Sequence, residues 1–414
     1  MRADGLRFLP KTRALLDHEF VQARANGGAC TDTRLGLFTG TYTEHHPWDW
    51  AKTQGEHDAA RTWGPWMQAA GYRTGLFGKY ITTDAWTSGP VDGWDVWRTY
   101  YADAHQEFGF AIDDGSSVVT PPVGNLAYIT DELLGFATGP SPWFASWNPH
   151  HPHTVTETGE LQPLPEHADR FADLDWPVPL GEDVTGKPAW IQALAPLTED
   201  DVRDIQRAAL GQAQVLAGVD DAIERMLTSL EESGQLDRTV VFFTSDQGVH
   251  YGEHRWGSAL DVPAGVQKQT VYEPVVRIPL LIRGPGFDAG TTDVPVSQCD
   301  ITATVVAIAG ADPSHALDGV DLRGIAAGPD DSADRTLLLQ AITAFTPAPS
   351  YDAVVTGPRH PTLASLKFSR LVTGEVELYD LAEDPAELVN LADEPGHGEQ
   401  RTRLESELDR LLAG

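Results

Sequence analysis

Cysteine is nearly absent from this chain, with two in 414 residues, at positions 30 and 299. So few cannot form the disulfide framework on which small secreted domains depend. The fold must be held by a core instead, and a chain of this length with 41% hydrophobic residues can bury a large one. Positive charge is also scarce. Lys and Arg number 29 against 61 Asp and Glu, a net charge of −32. That balance excludes a broad polyanion-binding face, so no nucleic-acid partner is expected, although a few local cations can still hold one anionic group. No run of ~18 apolar residues occurs, so nothing here is built to span a membrane. The opening residues Met1-Arg2-Ala3-Asp4-Gly5-Leu6 lack the apolar core of an export signal, which makes the cytoplasm the default expectation. There is no internal repeat.

What the chain does contain is alternating helical and strand-like pattern. The clearest helix is expected over Glu199–Glu232. Thr198 suits its N-cap, with Asp201 three residues on, and Ile205, Leu216, Val219, Ile223, Leu227 and Leu230 recur at helical spacing before Gly234. It leads into Val240–Phe243, a β-branched and aromatic run that reads as a buried parallel strand. Shorter helices are expected over Leu9–Leu16, Thr62–Ala70 and Asp300–Ala309, and a strand over Ile278–Arg283. Residues 106–188, loop-like and rich in proline, read as a lid over a cleft. The Gly, Ala, Asp and Pro of 319–334 read as a linker. It would divide a domain over 1–320 from a subdomain over 335–414, with strands near Leu366–Leu371 and Glu375–Tyr379 and a last helix near Glu399–Leu412. Such alternation is the pattern of a layered α/β fold.

Several short motifs carry chemistry. After Val240–Phe243 come Ser245, Asp246, Gln247 and Gly248, which puts a carboxylate and an amide oxygen at the carboxyl end of a strand. Open α/β sheets place their sites there, and hard oxygen donors suit Ca²⁺ or Mg²⁺. Earlier, Cys30-Thr31-Asp32-Thr33-Arg34 precedes Leu37-Phe38-Thr39-Gly40. Gly71-Tyr72-Arg73-Thr74 leads to Gly78-Lys79, and Trp143–Asn148 runs into Pro149-His150-His151-Pro152-His153. Gly252-Glu253-His254, Lys268 and Arg277-Ile278-Pro279-Leu280-Leu281 follow, with Gly186-Lys187-Pro188 before them and Glu377-Leu378-Tyr379-Asp380 near the end. Taken singly, each has an ordinary reading. A lone cysteine is usually a small buried hydrophobe, a lysine is usually solvated, and a loop histidine is as often structural as functional.

In this order, the motifs resemble those of the type I sulfatases of the alkaline phosphatase superfamily, in the branch of arylsulfatases and N-acetylglucosamine-6-sulfatase-like enzymes. The resemblance implies an alkaline-phosphatase-like α/β/α sandwich, with a large mixed sheet and a smaller C-terminal α+β subdomain. It implies a sulfuric ester hydrolase acting on an aryl or sugar sulfate. Cys30 would be oxidised to formylglycine by a formylglycine-generating enzyme, and Arg34 would pair with the nucleophile's oxygen and the anion. Lys79, His150 and Lys268 would bind sulfate and protonate the leaving group, with His153 a second candidate in the same loop and His254 structural. A divalent cation, Ca²⁺ or Mg²⁺, would be held by Asp246, Gln247 and the residue at Cys30. The sequence departs from the family pattern at Asp32, where proline is usual, at Gln247, where asparagine is usual, and by an insertion over Ser258–Gln267. The family's apolar strand ending in Asp-Asp would lie immediately before a segment like Met1–Pro10. Without it, the calcium site is expected to be short of carboxylates, the sheet to lack a central strand, and turnover to be poor. Two alternatives stay open: a phosphodiester or phosphonate hydrolase of the same superfamily, using Thr31 or a modified Cys30, and an inactive sulfatase homologue.

Overall fold

The longest helix forms as its sequence dictates. In the computed structural model it spans Glu199–Glu232. Thr198 accepts a hydrogen bond from the Asp201 N–H at 3.2 Å while Asp201 accepts one from Thr198 N at 2.7 Å, closing a capping box. Gly234, at φ 66°, ends it. Its apolar stripe, Ile205, Leu216, Val219, Ile223, Leu227 and Leu230, is buried, and truncating one of these, as in Leu227→Ala, costs about 2–5 kcal/mol. Buried Asp220 on the same helix accepts from the N–H groups of Lys11 and Thr12 at 3.1 and 2.7 Å and so docks the Pro10–Leu15 helix. The residues described are 1–45, 58–81, 90–101, 106–154, 161–256, 268–342 and 348–414. The insertion over 258–267 lies outside them.

The mixed sheet comes in two pieces. One has five strands, in the order Val118–Val119, Ile112–Asp113, Val96–Tyr100, Arg73–Gly78, Trp143–Asn148, with the last three parallel. The other has four: Gly290–Thr292, His18–Phe20, Leu280–Arg283, Val241–Thr244. The run at 240–243 is therefore not the buried parallel strand expected from its composition. It pairs antiparallel with Leu280–Arg283, Phe243 opposite Leu281, and every residue of it stays partly exposed. An apolar run does not specify its partner. Here the only ladder among the described residues lies on one side.

The edge strands of the two pieces touch the same two hydrophobic clusters. Trp143, Trp147, Val241 and Phe243 pack on the cluster built by the Glu199–Glu232 helix, whereas Phe144, Val240 and Phe242 pack on Phe38, Trp63, Ile301 and Val305. Alternate residues of a strand point to opposite faces, so both strands run between the same two helical layers.

Two other expectations change. The 106–188 stretch is only partly a covering loop, because it contributes three strands to the five-stranded sheet and the helix Asn125–Ala137, with Leu126, Ile129, Leu133 and Phe136 inward. The proposed linker holds a helix, Leu322–Ala327, capped by Asp321 and anchored by buried Leu322 and Ile325. Beyond it, Thr336–Ala341, Tyr351–Thr356, Leu366–Leu371 and Val376–Asp380 form an antiparallel meander covered by the Gly398–Ala413 helix. A buried polar junction joins this meander to the core. Lys187 donates to the Tyr379 hydroxyl at 2.6 Å and the Glu387 carbonyl at 2.7 Å, and Tyr272 donates to Glu377 at 2.8 Å. The Gly186-Lys187-Pro188 and Glu377–Asp380 motifs thus meet each other, as structure.

Candidate active site

Cys30 is the first residue of the helix Cys30–Thr39 and is half-buried. Its N–H neighbours in the first turn have no intrahelical acceptor, so this end attracts negative charge. Asp32 lies in the same turn. A carboxylate there is favoured by the helix dipole, which gives a physical reason for acid where the family pattern has proline. Arg34, one turn on, is buried and fully engaged. Its Nη1 donates to Asp246 Oδ2 at 2.9 Å, Nε to the Tyr80 carbonyl at 2.6 Å and Nη2 to the Ile81 carbonyl at 2.8 Å.

Lys79 and His150 leave adjacent parallel strands. Gly78, at φ 102°, lets the chains approach: a Cβ there would lie 2.0 Å from the Asn148 carbonyl oxygen. Lys79 N donates to that oxygen at 2.7 Å, and Asn148 Nδ2 returns a bond to the Lys79 carbonyl at 2.9 Å. Buried His150 is fixed through its N–H to the Tyr100 hydroxyl at 3.3 Å, and its ring lies 4.0 Å from that of His151. His151 Nε2 is 2.7 Å from Glu107 Oε2. His153 is turned to its own loop, with Nδ1 2.7 Å from the Thr154 carbonyl.

Asp246 and Gln247 follow the Val241–Thr244 strand. Two residues that sequence reasoning missed position this end. Gln298 Nε2 donates to the carbonyls of Ser245 and Asp246, both at 2.9 Å, and its Oε1 accepts from Asn26 N at 3.4 Å. Gln269, at φ 64°, donates its N–H to the Gly28 carbonyl at 2.7 Å, which brings Lys268 to the turn before Cys30. The Met1 ammonium is buried here too, donating to the Ser245 hydroxyl and, at 2.5 Å, to the Gln247 carbonyl. His254 packs 4.1 Å from the Tyr272 ring.

The electrostatics are those of an anion site. Burial alone would push the Cys30 thiol up, but Arg34, Lys268 and Lys79 together hold it below its ordinary range. Asp246 is likewise held low against its burial, by Arg34 first and then Lys268 and the Met1 ammonium. Burial, with Arg34 adding, brings Lys79 down to about 8. Burial brings the Met1 ammonium to about 5. Arg34, Lys79, His150, Asp246, Gln247 and Lys268 all line one cavity of about 830 Å³, and Cys30 feels the charge of Arg34, Lys268, Lys79 and Asp246.

A divalent cation does not fit this set as it stands. Ca²⁺ gathers about six to eight oxygens, with several carboxylates among them. Asp246 is the carboxylate here, and both its oxygens already accept, from Arg34 and from Gln247 N at 2.9 Å. No group of three or more His, Cys, Asp or Glu arranged for a metal exists among the described residues. Gln247 follows Asp246, and its buried amide has neither its oxygen nor its nitrogen hydrogen-bonded among the described residues.

Comparison with known proteins identifies the family. A family model described as Sulfatase matches residues 8–311, and one described as N-sulphoglucosamine sulphohydrolase, C-terminal, matches 252–413. An arylsulfatase of Volvox carteri is 28% identical, covering 93% of this chain and 67% of its own length. The N-acetylglucosamine-6-sulfatase of Homo sapiens is 27% identical over 78% of this chain and 62% of its own length. The chain therefore spans about two thirds of each relative's length. A protein solved in complex with its substrate D-glucosamine-2-N,6-O-disulfate shares the fold at a TM-score of 0.79, with 19% identity over 97% of this chain and 92% of that one. Motif order, fold and family match converge: the chain belongs to the sulfatase family, in the branch of arylsulfatases and N-acetylglucosamine-6-sulfatases.

Proposed function

We propose that this chain hydrolyses a sulfuric ester of a sugar or aryl alcohol at Cys30. The observation that carries the reading is the convergence of Arg34, Lys79 and Lys268 on a half-buried helix N-terminus bearing Cys30, in a chain of net charge −32. Cations concentrated against such a background select one compact anion. Sulfate ester cleavage spreads charge over the sulfuryl and bridging oxygens, and preorganised cations there stabilise it. Lys79 and Lys268 would hold the sulfuryl oxygens. Arg34, locked by its three acceptors, would orient the nucleophile and keep Asp246 in place. His150, fixed by Tyr100, would donate a proton to the leaving oxygen.

A formylglycine at position 30 would supply a hydrated aldehyde, with one hydroxyl to attack sulfur and a second to release sulfate. Its formation would need a formylglycine-generating enzyme as partner. Family members use a divalent metal, for which the described donors of this chain are too few. The likeness to a protein solved with a disulfated glucosamine supports a saccharide sulfate as substrate. The test is direct. The chain, co-expressed with a formylglycine-generating enzyme, is assayed on 4-nitrophenyl sulfate, glucosamine 6-sulfate and phenyl phenylphosphonate. Sulfate release that Lys79→Met abolishes supports the reading. Preferential turnover of the phosphonate would replace it with the phosphonate hydrolase alternative, and no turnover with position 30 fully converted would favour an inactive homologue.

A further inference from the structure

A buried pair, Glu107 and His151, lies behind His150. His151 Nε2 is 2.7 Å from Glu107 Oε2, and the two side chains keep only 4% and 1% of their surface. The His151 ring lies on that of His150, centroids 4.0 Å apart and planes tilted by 35°. Glu107 is also held through its backbone. Its N–H donates to Gln162 Oε1 at 3.0 Å, and its carbonyl accepts from Asn125 N at 2.8 Å. Asn125 Oδ1 accepts from the Tyr100 hydroxyl at 2.6 Å, the same hydroxyl that takes the His150 N–H. Gly124 makes room for the carboxylate, since a Cβ there would lie 2.2 Å from Glu107 Oε1. Two routes therefore tie Glu107 to His150, one through a ring and one through hydrogen bonds.

Stability alone does not account for such a pair. Apolar side chains of similar shape would serve the fold as well or better. Here Glu107 Oε1 and His151 Nδ1 are left without a hydrogen-bond partner among the described residues, a further cost. The charges of the site supply a reason for it. Arg34, Lys79 and Lys268 line the cavity together with His150, and Asp246 is the one carboxylate in that lining among the described residues. The field of these cations crosses the site, holding the Cys30 thiol down against its burial. A field of that sign also drives the proton off an imidazolium. A histidine that is to donate a proton there needs a negative charge to offset it, and Glu107 is the carboxylate linked to its ring. That charge reaches this corner of the molecule, because burial first and Glu107 after it push the Tyr100 hydroxyl up. The titratable groups around His150 are thus His151 and His153 on its own loop, Tyr100 and Glu107, with the cations and Asp246 along the cavity.

We propose that Glu107, acting through His151, is a positioning residue for His150: the pair orients the His150 ring and keeps it protonated until the leaving oxygen takes the proton. This rests on the reading of His150 as the proton donor. The proton passes from a His150 ring nitrogen to the bridging oxygen as the bond from that oxygen to sulfur breaks, and the ring is left neutral. Glu107 and His151 exchange no proton with the substrate. The pair matters in proportion to the basicity of the leaving group. A sugar alkoxide must be protonated as it departs, whereas 4-nitrophenolate is stable without a proton. The arrangement therefore fits an alkyl sulfate of a sugar better than an aryl sulfate.

The test uses the full chain, co-expressed with a formylglycine-generating enzyme, and two esters, glucosamine 6-sulfate and 4-nitrophenyl sulfate. Glu107→Gln should lower kcat on the sugar ester about tenfold or more, with KM little changed, and leave the aryl ester within about threefold. Side-chain nitrogen NMR, which needs no turnover, should show His150 titrating about half a unit or more lower in Glu107→Gln than in the parent. A second variant, Glu107→Leu with His151→Phe, replaces the pair by apolar groups. It should keep or raise the thermal midpoint and still show the selective loss on the sugar ester. An unmoved His150 titration would overturn the proposal, as would a folded double variant with full activity on the sugar ester. His150→Ala separates the two claims. Equal losses from it on both esters would sink the donor reading and this proposal with it. Unequal losses from His150→Ala beside equal losses from Glu107→Gln would sink this proposal alone.

Discussion

Arg34 donates to Asp246 at 2.9 Å while the carbonyls of Tyr80 and Ile81 hold its other nitrogens. One guanidinium therefore fixes three chain segments to each other: the turn after Cys30, the end of the Arg73–Gly78 strand and the loop after Val241–Thr244. Arginine suits this because its donors lie in a rigid plane, and lysine could not serve the three acceptors at once. The bond also helps to keep Asp246 ionised against its partial burial.

Replacing Arg34→Gln should accordingly lower stability and activity together. Breaking a fully buried pair costs about 3–5 kcal/mol. Asp246 keeps 32% of its side-chain surface, so solvent screening reduces the expected loss to about 2 kcal/mol. Urea denaturation measures this. Sulfate ester turnover should fall by roughly 10²–10³ if the guanidinium stabilises developing charge as an oxyanion donor does. A variant with unchanged urea midpoint would show that the Arg34–Asp246 bond contributes nothing to the fold.

The two cysteines should differ in reactivity in the unmodified chain. Burial and Asp300 push the Cys299 thiol well above its usual value, whereas Arg34, Lys268 and Lys79 hold Cys30 below it against burial. The thiolate is the reacting species. Iodoacetamide near pH 8 should label Cys30 in the folded chain and Cys299 only after unfolding, read by peptide mass spectrometry. The sign for stability follows. An acid held low in the folded state contributes stability above the unfolded thiol's pKa, and that contribution is lost as pH falls through the folded value. Lys79→Met should move the labelling profile to higher pH.

Much of the site was legible in sequence because its motifs are local. Cys30 with Arg34, Gly78 with Lys79, and Asp246 after an apolar run each sit within a few residues of each other, and the Thr198–Asp201 capping box announces the long helix directly. What was illegible acts over distance and through backbone. Gln298 holds Asp246 by its carbonyl, and Gln269 holds Gly28 by an N–H. Neither bond leaves a pattern in residue type. Strand direction was misread at 240–243 for the same reason, since partners are chosen by the rest of the chain. The strands Ile112–Asp113 and Val118–Val119 are too short to show alternation.

Gln298 offers a test of positioning. It is fully buried and donates to two carbonyls on the Asp246 loop. Gln298→Met keeps the volume but leaves those carbonyls unpaired, which costs about 1–3 kcal/mol. Because Gln298 touches no reacting atom, kcat should fall about tenfold with KM little changed, and Gln298→Glu should not rescue it, lacking the amide donor. A KM effect alone would place Gln298 in substrate binding instead.

The alkaline limb of activity should belong to Lys79. Burial and the neighbouring Arg34 bring its pKa to about 8 from 10.5, so its charge is lost early as pH rises. Sulfate release should decline through about pH 8, and Lys79→Arg, which cannot lose its proton in this range, should shift the decline upward. Stability moves the other way. Between about 8 and 10.5 the unfolded chain binds the proton that the folded one has shed, so folding gains as pH rises across that window. Lys79→Met should lack this gain in thermal midpoints taken at pH 7.5 and 9.5.

Asp32 stands where the family pattern has proline, and a proline there would cost the helix no hydrogen bond. Position 32 lies in the first turn of Cys30–Thr39, where backbone N–H groups have no intrahelical acceptor, so proline removes no helix bond. The substitution loses a carboxylate favoured by the helix N-terminus, about 0.3–1 kcal/mol. It also disfavours the helical conformation of Thr31, which lies inside Cys30–Thr39, so the first turn would have to adjust. Co-expression of Asp32→Pro with a formylglycine-generating enzyme should raise the aldehyde fraction at position 30 several-fold over the parent chain. Peptide mass spectrometry reads that fraction without any need for turnover. Should both chains convert equally, Asp32 is neutral toward modification and is retained for the helix terminus alone. Should neither convert while sulfate is still released, Cys30 is not the nucleophile's source and Thr31 becomes the residue to replace.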